Sequence, residues 1–150
     1  HQSSVNTMVE TINNQAIATI WNLENNCPEY INAKILDVDI FQGLRESIDD
    51  DLLFSDLVTT YLGSAEDLID AIQVAFTAQN ANAFSIASHT LKSTSASIGA
   101  IKLSQMGRYF EKIGKTGEIT IAPELLDQLV SEYDRAIAEI KVFILKSMAE

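Results

Sequence analysis

The run "FSIASHTLKSTSASIG", residues 84–99, decides how the rest of this 150-residue chain is read. At about 100° per residue, Phe84, Ala87, Leu91, Thr94, Ser95 and Ile98 fall on one side and form the stripe of a helix that faces a core. His89 falls on the opposite side. Its companions there, by the rule that residues three and four apart share a face, are Ser85, Ile86, Lys92, Ser93 and Ala96. Apart from Ile86 and Lys92 they are small. The pattern therefore predicts an imidazole that stands clear of its own helix and can be approached by another surface.

Working outward, Asn80 in "AQNANAF" is the expected N-cap of this helix and Gly99 its expected end, since glycine tolerates the tight turn that closes a helix. A helix from Asp50 to about Ala78 precedes it, with Leu53, Leu57, Tyr61, Leu68, Ile72 and Phe76 on a drifting stripe and a bend expected at Gly63 and Ser64. The next runs from about Ala100 to Ile113 with Leu103, Met106, Phe110 and Ile113 inward, and "GKTGEITIAP" ends it. Pro123 opens a last long helix with Leu126, Leu129, Tyr133, Ile137, Ile140 and Ile144 as its core side; there the missing N–H costs no hydrogen bond. A short helix over Ile40 to Ile48, capped by Asp39, is expected to close one end.

The reading is an all-α fold: an antiparallel four-helix bundle over residues 37–150, preceded by a helical extension or linker over residues 1–36. In that leading piece Val5, Met8, Ile12, Ala16, Ile20 and Leu23 mark one more amphipathic helix, which ends near "NNCPEY". With 47% hydrophobic residues, six glycines and two prolines, the chain has the apolar content for one core and few breakers.

Charge and cysteine content exclude several functions. The net charge of −11 argues against nucleic acid or an anionic membrane surface as the main partner, because both would repel it. The average hides an asymmetry. Between residues 80 and 117, Lys92, Lys102, Arg108, Lys112 and Lys115 face the single acid Glu111, a local net of +4 that leaves −15 for the rest. A basic region on an acidic protein fits a partner with an acidic pocket, although such runs also arise on ordinary solvated faces. Cys27 is the only cysteine, so an internal disulfide and a thiolate metal cluster are both excluded. The longest aliphatic or aromatic run, "VFIL" at 142–145, falls far short of the roughly 18 residues that span a bilayer. A soluble, cytoplasmic domain is expected, either free or belonging to a membrane-anchored sensor kinase.

Three chemistries are open to His89. A metal site lacks further ligands, because the only other histidine is His1. A catalytic triad needs a nucleophile on a sharp turn and an orienting acid, and nothing sets one serine apart from the others. An uncharged imidazole is itself a nucleophile near neutral pH and accepts a phosphoryl group on nitrogen. Lys92, one turn on, then offers a cation to the phosphate oxygens. Most lone surface histidines are inert, so His89 alone does not decide the matter.

The surrounding residues weigh in its favour. "SHTLKSTSASIGAIKLSQMGRYFEKIG", residues 88–114, resembles the histidine-containing phosphotransfer (HPt) family, with His89, Leu91, Lys92, Gly99, Ala100, Leu103 and Glu111 at matching positions. Upstream, "LLFSDLVTTYL" and "QNANAF" look like that family's preceding helix and turn, so the resemblance covers roughly residues 37–145. Ser93 stands where the family usually has glycine, and Phe110 where leucine is common.

The resemblance implies a phosphoryl carrier without kinase activity of its own. His89 would take the group from a receiver-domain aspartate through its remote ring nitrogen and hand it to a second receiver, with Lys92 stabilising the phosphate. Ser85, Ile86, Ser93 and Ala96 would form the docking face. No cofactor is implied, since Mg²⁺ would sit on the receiver, and no metal is expected on this chain. Receiver domains and a hybrid sensor histidine kinase are the partners implied, with the protein a monomer. Besides a structural helical module in which His89 is incidental, two alternatives stand beside it. One is a helical adaptor that binds a receiver without accepting phosphate. The other is a kinase-type dimerisation domain, in which an acid usually follows the histidine where this chain has Thr90.

Overall fold

The computed structural model describes residues 28–149. Among these residues there are five α-helices and no strand: α1 (Val38–Ile48), α2 (Asp51–Ala78), α3 (Ala81–Ile98), α4 (Ile101–Lys115) and α5 (Glu124–Ala149), preceded by a short 3-10 turn over Glu29–Asn32. Helices α2 to α5 form the bundle expected from the sequence. No described helix is long and apolar enough to cross a membrane. The amphipathic segment from Val5 to Leu23 lies outside the described residues.

Local chemistry sets the helix ends. Asn80 caps α3, its side-chain oxygen accepting the Ala83 N–H at 3.0 Å. Gly99 closes the same helix at φ 91°. There the Ala100 N–H donates to Ser95 O at 2.9 Å and the Gly99 N–H to Ala96 O at 3.2 Å, the paired bonds of a Schellman turn. A side chain at this glycine would also come within 2.9 Å of the Asp37 carbonyl oxygen. The cap of α1 is Asp37, which accepts from the Ile40 N–H at 3.2 Å, and not the expected Asp39. Asp39 sits in the first turn, where its charge faces the positive end of the helix.

The stripe expected on α2 is rotated. Its buried residues are Phe54, Val58, Tyr61, Ala65, Ile69, Ile72 and Ala75, while Leu53 and Leu57 are 59% and 40% exposed. Ala65 and Ala75 are buried on this face, and a stripe counted on large apolar residues alone misses them. The helix also passes unbroken through Gly63 and Ser64. On α5 the expected side holds, with Ile137 and Ile144 half-buried and Ala136 added. Phe41 of α1 closes one end, edge-on to Phe54 at 5.0 Å and to Phe143 at 4.9 Å. Two buried hydroxyls lock the helices further: Tyr61 shares a 2.7 Å hydrogen bond with Ser95, and Tyr133 donates to Leu62 O at 2.7 Å.

Residues 28–36 pack on the bundle. Tyr30 and Leu36 are buried, Tyr30 lies 5.5 Å edge-on to Tyr109, and the Lys102 N–H donates to Lys34 O at 2.8 Å.

The most extensive pairing is between α3 and α4, and it positions the site. Small residues let the two backbones touch. A methyl group at Gly107 would lie 2.8 Å from both Lys92 N and Ser88 O, and one at Gly114 would lie 2.8 Å from Ser85 Cβ. Gly107, Glu111 and Gly114 recur at four and three residues, so they share the face of α4 that meets α3. The flanking glycines thereby bring the Glu111 carboxylate directly against α3.

Candidate functional site

Three side chains from α3 and α4 converge on that carboxylate. His89 Nδ1 lies 2.6 Å from Glu111 Oε2, Lys92 Nζ donates to Oε1 at 2.7 Å, and Lys115 Nζ lies 3.4 Å from Oε2. The Glu111 side chain is only 7% exposed, whereas the His89 ring is 57% exposed. Burial pushes the Glu111 carboxyl up, but hydrogen bonds from Lys92, His89 and Lys115 outweigh it and bring it down to about 2. The group is therefore ionised throughout the physiological range.

That state fixes the histidine tautomer. An ionised carboxylate only accepts, so Nδ1 must carry the proton that it donates to Glu111. In the neutral ring Nε2 then holds the free lone pair, on the edge away from Glu111. A carboxylate orienting one ring nitrogen and leaving the other as the reactive atom is a common arrangement in histidine chemistry. Lys92 is anchored as well: its own carbonyl accepts from Ser104 Oγ at 2.8 Å, which ties this turn of α3 to α4.

Of the residues expected around His89, Ile86 is 59% exposed, and Ser93 and Ala96 are exposed too. Ser85 is a correction. It is 9% exposed, faces Gly114, and its hydroxyl donates to Glu111 O at 3.5 Å, so it belongs to the α3–α4 seam and not to an open docking face. Ser88, absent from the expected stripe, is fully buried in the same seam, and Thr94 is only half-buried. The buried arc of α3 is wide because α4 covers a second side of the helix. The basic stretch also divides: Lys102 turns away to pair with buried Glu132 of α5 at 3.1 Å.

Sequence reading gave Glu111 no part in the chemistry. Two signals pointed to it: it is the only acid among five basic residues between 80 and 117, and it sits between two glycines at helical spacing. Among the described residues no group of three or more His, Cys, Asp or Glu side chains is arranged to hold a metal ion.

Within the helical bundle, a half-exposed histidine is thus held at one nitrogen, beside a lysine one turn further along the same helix. Residues 56–139 match the Hpt domain family, and the chain belongs to it. Comparison with curated proteins gives no match. Among solved structures, the fold is similar to histidine-containing phosphotransfer protein B (HptB) from Pseudomonas aeruginosa PAO1, with a TM-score of 0.69 and 24% identity over 77% of this chain and 98% of that one. Hpt domains are phosphocarrier modules of phosphorelays, not kinases, and a phosphotransfer role in such a relay follows for this chain from its family.

Proposed function

We propose that His89 accepts a phosphoryl group on Nε2 from the aspartyl phosphate of one receiver domain and passes it to the aspartate of another. The observation that carries the reading is the 2.6 Å contact between Nδ1 and Glu111 on a ring that remains 57% exposed. In the forward step the Nε2 lone pair forms the N–P bond as the acyl O–P bond breaks, and the bonding electrons return to the receiver's carboxylate. No proton has to move. The ring keeps its Nδ1 hydrogen and becomes cationic, and Glu111 faces that charge.

The receiver supplies Mg²⁺ and most of the stabilisation of the transferring group, and this chain supplies an oriented nucleophile and cationic side chains. Ile86, Ser93 and Ala96 form the face on which a receiver docks, and their small or apolar character suits a contact that must lose its water. Ser93 adds a hydroxyl where the family usually leaves a bare glycine. The donor receiver belongs to a hybrid sensor histidine kinase, and the carrier works as a monomer.

The test is transfer of label from a phosphorylated receiver domain to the full chain. Label that appears on wild type and vanishes in His89→Gln supports the reading. Binding of the receiver with no label transferred overturns it in favour of the adaptor.

A further inference from the structure

Two lysines reach one carboxylate, from different helices and with unequal grip. Lys92 on α3 holds Glu111 Oε1 at 2.7 Å and its side chain is 31% exposed. Lys115 on α4 reaches Oε2 at 3.4 Å and is 68% exposed. One cation neutralises an ionised carboxylate, so the resting site carries a surplus positive charge. Phosphoryl transfer to a ring that keeps its Nδ1 proton adds one net negative charge: two on the phosphoryl oxygens against one positive on the ring. The surplus matches the addition.

The helices decide which lysine goes where. Lys92 follows His89 by three residues on α3, the spacing that puts its ammonium beside a group attached to the ring. Lys115 follows Glu111 by four on α4, with the acid N-terminal to the base, which is the favoured order for a helical ion pair. We propose that Lys115 is a positioning residue that takes over Glu111 when His89 is phosphorylated, freeing Lys92 to turn from the carboxylate to the phosphoryl oxygens. The inference rests on the phosphotransfer reading above. Without the exchange, Lys92 would leave a carboxylate that is 93% shielded from solvent facing only the ring's charge, which the two charges on the phosphoryl oxygens already draw on. With it, Glu111 keeps a cation and Nδ1 keeps its acceptor in both states.

The experiment uses the full chain and phosphoramidate, a small phosphoryl donor that releases ammonia and needs no receiver. Rates of His89 phosphorylation are compared for wild type, Lys115→Ala, Lys92→Ala, the double variant and Lys115→Arg, alongside their melting temperatures. Lys115→Ala is expected to slow phosphorylation about two- to fivefold, the scale of a partly exposed ion contact, with a melting temperature lower by no more than a few degrees. The double variant should be no slower than Lys92→Ala alone, because Lys115 acts through Lys92. Lys115→Arg should restore the wild-type rate. A wild-type rate in Lys115→Ala, an equal loss in both backgrounds, or a loss that follows melting temperature overturns the exchange. If wild type itself takes no phosphate on His89, the phosphotransfer reading falls and the exchange with it; a labelled wild type with an indifferent Lys115 overturns the exchange alone.

Discussion

Replacing Glu111 by glutamine keeps the shape of the side chain and removes its charge, which tests whether the carboxylate is the clamp of the α3–α4 seam. The carboxyl is brought from 4.5 to about 2 in the folded protein, where hydrogen bonds from Lys92, His89 and Lys115 overcome the upward push of burial. At about 1.4 kcal/mol per pH unit, that drop is worth at most about 3.5 kcal/mol. Lys115 is 68% exposed and Lys92 31% exposed, so solvent screening reduces the figure to about 1–2 kcal/mol. Because the folded value lies below the unfolded one, the stabilisation is complete above pH 4.5 and is lost as the pH falls towards 2.

Urea unfolding followed by circular dichroism, for wild type and Glu111→Gln in parallel, measures the difference. The variant should be less stable by about 1–2 kcal/mol at neutral pH, with the gap closing between about pH 5 and pH 2. Other carboxylates titrate in both proteins and cancel in the comparison. A gap that is absent at neutral pH, or one that stays constant down to the acid end, refutes the clamp.

Other substitutions probe other parts of the account. Gly107→Ala places a methyl group 2.8 Å from Lys92 N and Ser88 O, backbone atoms that cannot swing aside, and should cost about 1–3 kcal/mol in urea unfolding; an unchanged midpoint would mean that α3 and α4 are not in backbone contact. Tyr61→Phe leaves the buried Ser95 hydroxyl without its 2.7 Å partner and should cost about 1–2 kcal/mol while leaving phosphoryl acceptance at its wild-type rate. Lys92→Ala should slow transfer from a phosphorylated receiver by about tenfold or more with the helical circular dichroism spectrum intact; unaltered rates would remove its electrostatic role.

The helices were legible because their signals are local. The Asn80 cap, the turn at Gly99 and the outward direction of His89 each depend on residues within a few positions, and the structure has all three. What depends on a second helix was not legible. The rotated stripe of α2 follows from alanines whose burial is set by neighbouring helices, and Ser85 and Ser88 are buried only because α4 packs on a further side of α3. Glu111 shows the limit most plainly. Its hydrogen bond to His89 joins residues 22 apart in the chain, and the approach depends on two glycines whose function is to have no side chain. Spacing within a helix gives faces, while the partner of a face is a tertiary fact.

The central claim is that Glu111 holds Nδ1 and leaves Nε2 of His89 as the acceptor. Nitrogen-15 and phosphorus-31 NMR of the full chain, after incubation with a phosphorylated receiver domain, reads the position of the phosphoryl group directly. The account predicts a single phosphohistidine at His89 with phosphorus on Nε2 and the proton still on Nδ1. Phosphorus on Nδ1, or a phosphorylated chain in which His89 is unmodified, would contradict it.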